Sequence, residues 1–202
     1  MEKGFVFLDE AIHGIRWDAK YATWDNFTGK PVNGYEANRI VASIELAEAL
    51  QQAKEHAALL GYGLLIWDAY RPQRAVDCFV RWSAQPENNL TKKKHYPHLV
   101  REEMLAMGYV ATQSSHSRGS AVDLTIYHLD TGNMVPMGSD FDFMDERSHH
   151  SSTAVSAAES EHRRTLRSIM EHCGFDAYEN EWWHYLLKEE PYPDCYFDFP
   201  IG

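Results

Sequence analysis

Tyr62-Gly63-Leu64-Leu65-Ile66-Trp67-Asp68 is a short apolar run that ends on a carboxylate and passes directly into Ala69-Tyr70-Arg71-Pro72. A run this short, bounded by Gly61 and Pro72, reads as a buried strand delivering Asp68 and Arg71 to a sheet edge, because a buried helix needs more residues. Upstream, Tyr35 to Leu60 carries Ile40, Val41, Ile44, Leu46, Ala47, Leu50 and Ala53 at helical spacing, and Gly61 supplies the stop. Downstream, Pro72 can open a helix at its first position, running to about Ala84. Helix, buried strand and helix thus follow one another with short connections.

Further out the pattern stays mixed. A loop-rich stretch from Gln85 to Pro97 leads to a short helix at about Leu99 to Met107, a strand around Tyr109 to Thr112 and another from Ala121 to Leu129. Thr131 to Ser156 holds glycines, serines and acidic residues with little periodicity, and reads as a long surface excursion of the kind that often carries function. Ser156-Ala157-Ala158-Glu159 is a capping box that opens a helix running to about Cys173, with Gly174 as its stop. Trp182 to Leu187 supplies a last strand. With 202 residues and neither a repeat nor a linker, the expectation is one α+β domain over 1–202, a mainly antiparallel central sheet with flanking helices, and the functional site at the sheet.

Composition excludes several classes. Nineteen Lys and Arg against 30 Asp and Glu give a formal charge of -11, which repels a phosphate backbone, so nucleic acid is not expected as a partner. Lys92-Lys93-Lys94 reads as a solvated face. Asp9 and Glu10 interrupt the only apolar stretch near the start, too early for a signal-peptide core, and no segment approaches the roughly 18 apolar residues of a membrane span. A cytoplasmic chain without a membrane partner is expected. Cys78, Cys173 and Cys195 are an odd, scattered set with no C-x-x-C pair, which points away from disulfides and from a cysteine-rich metal site. The oligomeric state is left open, a homodimer included.

The chemistry is concentrated in Ser114-Ser115-His116-Ser117-Arg118-Gly119-Ser120-Ala121-Val122-Asp123. On one unbroken strand His116 and Asp123 would point to opposite faces. The small residues from Ser117 to Ser120 can supply a turn, and a hairpin pairing residues whose numbers sum to 239 would put the two side chains on one face, about 5 Å apart at Cβ. A histidine and a carboxylate so placed are two of the three protein ligands of a catalytic zinc site. Glu181-Trp182-Trp183-His184 is the best source of the third ligand, His184, and of an unbound carboxylate, Glu181, beside aromatics that exclude water.

Two imidazoles and one carboxylate would leave the ion with net positive charge, lowering the pKa of its water and polarising a carbonyl. Glu181 would act as general base, and Arg71 would meet the developing oxyanion. Spacing alone leaves other readings standing: His116 capping a turn, Asp123 bonded to backbone, Trp183 and His184 as core and edge. The pair His149-His150 is a second metal candidate, with a solvated loop as its plain alternative. The same two histidines and a carboxylate also suit a non-haem iron oxygenase, or a non-catalytic zinc module.

These residues resemble the VanX-type D-alanyl-D-alanine dipeptidases, whose zinc signature S-x-H-x-x-G-x-A-x-D, followed downstream by E-x-W-H, is met by Ser114, His116, Gly119, Ala121, Asp123, Glu181, Trp183 and His184. The likeness extends through WDAYRPQRAV, AQPENNLTK, VPMGSDFDFMDERSHH and EPYPDCYFDFP. The resemblance implies one zinc ion per chain on His116, Asp123 and His184, Glu181 as catalytic base and acid, and Arg71 as transition-state stabiliser. It implies removal of D-Ala-D-Ala from the cytoplasm, so that cell-wall precursors ending in D-lactate predominate and vancomycin loses its target. The substrate, a small zwitterionic dipeptide, needs an anion near its ammonium and donors near its carboxylate. Asp142 with Tyr21 is the candidate for the first, and Ser114 or Ser115 for the rest. Related wall-peptide carboxypeptidases or endopeptidases are the competing assignment.

Overall fold

Gly61, at φ +83°, takes the left-handed conformation that a side chain resists and turns a helix into the predicted strand. The computed structural model of the chain describes residues 2–202. In order, its elements are β1 (Phe5–Phe7), α1 (Leu8–Ala11), β2 (Arg16–Trp17), β3 (Val41–Ser43), α2 (Ile44–Leu59), β4 (Tyr62–Asp68), α3 (Gln73–Ser83), α4 (Lys92–His95), α5 (Arg101–Ala106), β5 (Ala121–His128), α6 (Ala157–His172), β6 (Phe175–Ala177) and β7 (His184–Leu187). Short 3-10 turns stand at Lys20–Ala22, Ser115–Arg118 and Glu146–Ser148.

The main sheet has the order β2-β4-β5-β7-β6 and is antiparallel except for the β2–β4 pair, while β1 and β3 form a separate antiparallel pair. This is the expected α+β architecture. β4 is a buried interior strand, as its apolar run suggested, and it delivers Asp68 at its C-terminal end and Arg71 three residues further on. Between Ile66 and Asp68 the register shifts, so that Asp68 rather than Trp67 stands opposite Asp123. Such bulges re-aim a side chain next to a functional site.

Helix boundaries follow their caps. The helical spacing from Tyr35 begins to be helix only at Ile44, because Val41–Ser43 pairs with β1 and the Ser43 hydroxyl accepts from the Leu46 amide at 3.2 Å. The capping box of α6 is present: the Ser156 hydroxyl accepts from the Glu159 amide at 3.2 Å, and the Glu159 carboxylate accepts from the Ser156 amide at 2.7 Å. α2 packs on β4 and α6, and α6 on β6, so Leu46, Leu50, Leu64, Ile66, Leu166, Ile169 and Phe175 join one core.

Two loops differ from expectation. Residues 109–112 form no strand, and Tyr109, Val110 and Ala111 line a cavity instead. The excursion from Thr131 to Ser156 runs along the surface as expected for most of its length but also turns inward, burying Val135, Met137, Phe141, Asp142, Met144 and Ser148. It is held by Arg163 of α6, itself buried, which donates to the carbonyls of Met137, Arg147 and His149 and to the Ser139 hydroxyl. Satisfying the backbone of an irregular segment in this way is what allows it inside the protein. The three cysteines are free, and among the described residues no helix is long and apolar enough to cross a membrane. In α4, Lys94 pairs with Asp25 and Lys92 faces Glu87.

Candidate active site

Asp123 of β5 stands between Asp68 of β4 and His184 of β7 as direct cross-strand neighbours. Residues opposite one another on adjacent strands share a face, so three polar side chains form one row across the sheet. His116 reaches this row from the turn Ser115–Arg118. The Ser114 hydroxyl accepts from the His116 amide at 3.3 Å at the start of that turn, and Gly119 ends it at φ +72°. A side chain at Gly119 would also meet Phe5, whose Cε1 lies 2.5 Å from the Cβ position. The hairpin that would pair His116 with Asp123 therefore does not form: Asp123 is paired with two distant strands, and the imidazole arrives from outside the ladder.

The two histidines and the aspartate nevertheless converge. His116 Nε2 is 3.2 Å from His184 Nδ1 and 3.3 Å from Asp123 Oδ2, and His184 Nδ1 is 3.0 Å from Asp123 Oδ1. Ligands about 2.0–2.1 Å from a tetrahedral zinc stand roughly 3.3 Å from one another, so the donor set fits a zinc-sized ion. His116 Nδ1 is 2.6 Å from the Ala69 carbonyl, an arrangement that places the proton on Nδ1 and turns the Nε2 lone pair toward the other two groups.

Electrostatics agree with that arrangement. Burial resists the charge on Asp123, yet the His116 and His184 imidazoles outweigh it and hold the carboxyl far below the usual range. Burial pushes His116 down despite Asp123. Desolvation is the largest single influence on His184 and opposes its charge, but the bond to Asp123 and the charges of Asp123 and Glu181 together outweigh it and raise the imidazole. A buried carboxylate in a cleft whose proton affinity is set by specific charged partners marks a candidate functional site.

Glu181 sits one tight turn before His184: the His184 amide donates to the Glu181 carbonyl at 3.0 Å, and the Glu181 amide to Tyr178 at 3.2 Å. This turn brings both side chains to the same cavity, and β7 begins at His184, not at Trp182. Glu181, Arg71, Tyr21, Ser114, Ser115, Asp142 and the three donors all line one cavity of about 410 Å3. Burial, reinforced by Asp123 and opposed by His184 and Arg71, pushes Glu181 up to about 7. Arg71 donates from Nε to Asp68 at 2.9 Å and from Nη2 to Asp123 at 3.3 Å.

The Tyr21 hydroxyl meets the two carboxylate oxygens of Asp142 at 3.1 and 3.0 Å. Burial raises Asp142 well above its ordinary value, with Asp123 adding to the effect. Asp142 also takes φ +57°, a left-handed conformation that aspartate adopts more readily than most residues with a side chain. Ser115 lies in the turn beside His116, at the cavity wall.

His149 and His150 do not line the cavity, and burial pulls His150 down to about 4. Other wall residues went unassigned in the sequence: Phe27, Phe79, Tyr109, Val110 and Tyr178. Tyr35 and Asp68 lie behind the wall. Of these, only Asp68 had left a signal, as a carboxylate ending an apolar run.

Over residues 1–202 the chain matches the family model described as D-Ala-D-Ala dipeptidase. It is 69% identical over 201 residues to the D-alanyl-D-alanine dipeptidase of Enterococcus faecium and 66% identical over 202 residues to that of Enterococcus faecalis, covering 100% of each chain in both comparisons. A more distant relative is the D-alanyl-D-alanine dipeptidase of Escherichia coli, 37% identical over 172 residues, which are 85% of this chain and 78% of that one. Among solved structures the chain is similar to VanYB in complex with D-alanine-D-alanine, at a TM-score of 0.47 and 16% identity over 77% of this chain and 76% of that one.

Proposed function

The chain belongs to the D-Ala-D-Ala dipeptidase family, and from that premise we propose that it hydrolyses free D-alanyl-D-alanine at one zinc ion held by His116, Asp123 and His184. The observation that carries this reading is the convergence of three donor groups, His116 Nε2 lying 3.2 Å from His184 Nδ1 with one Asp123 carboxylate oxygen 3.3 Å from the first and the other 3.0 Å from the second, and with Glu181 in the same cavity but outside the group. When bound, zinc supplies a water of lowered pKa and a Lewis acid for the peptide carbonyl.

The chain's own groups do the remainder. Glu181, with a pKa raised to about 7, is matched to take a proton from the attacking water and return it to the leaving amine near neutral pH. Arg71 offers a fixed cation to the oxyanion of the tetrahedral intermediate, where a preorganised donor is worth roughly 3–4 kcal/mol. Asp142 and Tyr21 receive the substrate ammonium: a buried carboxyl that gains a cationic partner regains its charge, so the binding energy is directed at a free amino terminus. Ser114 and Ser115 offer donors to the other end.

Phe27, Phe79, Val110 and Trp183 in the wall keep the site dry and strengthen each of these interactions. The partner is a small zwitterion of the cytoplasm, and its removal would deplete the D-Ala-D-Ala used for cell-wall precursors, the basis of a role in vancomycin resistance.

The deciding experiment measures D-Ala-D-Ala hydrolysis by purified wild type beside Glu181→Ala, with metal content determined on both. Zinc retained in both and activity lost in the variant is the expected result. Equal turnover of free dipeptide and of a tripeptide or pentapeptide ending in D-Ala-D-Ala would overturn the dipeptidase assignment in favour of a wall-peptide carboxypeptidase. Iron in place of zinc would overturn the metal assignment.

A further inference from the structure

Asp68 is 0% exposed, and no step of the reaction as written above uses it. Desolvating a carboxylate is costly unless donors surround it, and two do. The Tyr35 hydroxyl donates to Oδ1 at 2.8 Å and the Arg71 Nε donates to Oδ2 at 2.9 Å. Tyr35 is itself buried. His116 Nδ1 lies 3.7 Å from Asp68 Oδ2, beyond hydrogen-bond reach, and is engaged by the Ala69 carbonyl. The carboxylate thus has one strong client, the guanidinium.

Arg71 is constrained on several sides. Its Nε edge is held by Asp68 and its Nη2 by Asp123, while the rings of Tyr21 and Phe79 lie 5.0 and 5.3 Å from the guanidinium carbon. Nη1 has no hydrogen-bond partner among the described residues, on a side chain that lines the cavity. A free arginine side chain samples many rotamers, and electrostatic stabilisation depends on donors that need no reorganisation as the reaction proceeds. The register shift of β4 bears on the same point, since without it Trp67 would occupy the position opposite Asp123.

We propose that Asp68, seated by Tyr35, is a positioning residue of the reaction that fixes the Arg71 guanidinium where the oxyanion develops. This rests on the reading of Arg71 given above. Asp68 touches neither substrate nor metal, and acts only through the arginine.

The test is a double-mutant cycle on the zinc-loaded enzyme with D68N, R71A and the D68N/R71A pair, together with Y35F. Misplacing a catalytic group by about 1 Å costs roughly 100-fold, so D68N should lower kcat by about 10- to 100-fold with KM within about 3-fold of wild type. Y35F should act in the same direction by about 3- to 10-fold on the same argument. R71A should lower kcat by about 100- to 1,000-fold, and D68N should then add less than about 3-fold, because groups that act as a unit are not additive.

Zinc content should stay at the wild-type value in both Y35F and D68N, a readout that a metal-binding role would move; the thermal midpoint of Y35F should fall by only a few degrees, since Asp68 keeps Arg71 as its other donor, and a KM held near wild type separates positioning from a general loosening of the cavity. A wild-type kcat in D68N, multiplicative losses in the pair, or zinc lost in step with activity would each overturn the proposal. A wild-type kcat in R71A would instead remove the Arg71 reading beneath it. If D68N does not fold, Y35F carries the test alone, and an unchanged kcat there overturns the proposal.

Discussion

Replacing Arg163 by methionine should loosen the segment that carries Asp142 from the helix behind it. Arg163 is 1% exposed and has no carboxylate within salt-bridge distance among the described residues. Its partners are the carbonyls of Met137 at 2.7 Å, His149 at 2.7 Å and Arg147 at 2.9 Å, and the Ser139 hydroxyl at 3.4 Å. Four bonds from a charged donor contribute about 6 kcal/mol at the low end of 1.5–3 each. Burial opposes this, pulling the guanidinium down to about 10, a penalty of roughly 3 kcal/mol at 1.36 per pH unit.

The net contribution is then about 3 kcal/mol, which for a domain of this size lowers the thermal midpoint by roughly 6–12 °C. Asp142 lies inside the anchored span and the three proposed metal donors lie outside it. KM for the dipeptide should therefore rise by about 10-fold, one pocket contact's worth, with zinc content unchanged. Differential scanning calorimetry, steady-state kinetics and elemental analysis read the three quantities. A midpoint within about 2 °C of wild type would falsify the claim that this arginine holds the segment, and a lost metal would show that the segment supports the donor triangle as well.

Three further outcomes follow from the site. Glu181 must be ionised to accept a proton, so kcat/KM should fall as pH drops through its pKa of about 7; since a bound cation favours the carboxylate, the acid limb should lie at or below that value and vanish in Glu181→Gln. Asp142→Asn should raise KM for D-Ala-D-Ala by about 10-fold or more, the loss of a charge-assisted bond, whereas an equal effect on an N-acetylated dipeptide would refute the ammonium assignment. Chelation should abolish hydrolysis and zinc should restore it, and His184→Ala should bind less than one zinc per chain; full occupancy in that variant would remove His184 from the donor set.

How far the sequence could be read depended on how local the determining contacts were. The capping box at Ser156, the Gly61 stop and the strand Tyr62–Asp68 rest on neighbours in sequence, and all three are present. The hairpin between His116 and Asp123 failed because the partners of Asp123 lie 55 residues before and 61 after it, and local turn chemistry says nothing about such pairings. His116, Asp123, His184, Glu181, Arg71, Asp142, Tyr21, Ser114 and Ser115 still meet at one cavity, since residue type and pattern bring a site into view even when the route between its parts is wrong. The inward turns of the segment after Thr131 escape a local reading for another reason. Its polar residues look solvated, and the buried arginine that satisfies its backbone sits in a different element.

The row Asp68, Asp123 and His184 spans β4, β5 and β7, and its third member is contributed by the last strand of the chain. During translation the first two can be assembled while the third is still inside the ribosome. A nascent polypeptide, or one clipped before Glu181, would carry two of the three proposed metal donors and lack the proposed base, so hydrolytic competence would switch on in a single late docking event rather than growing as the fold grows.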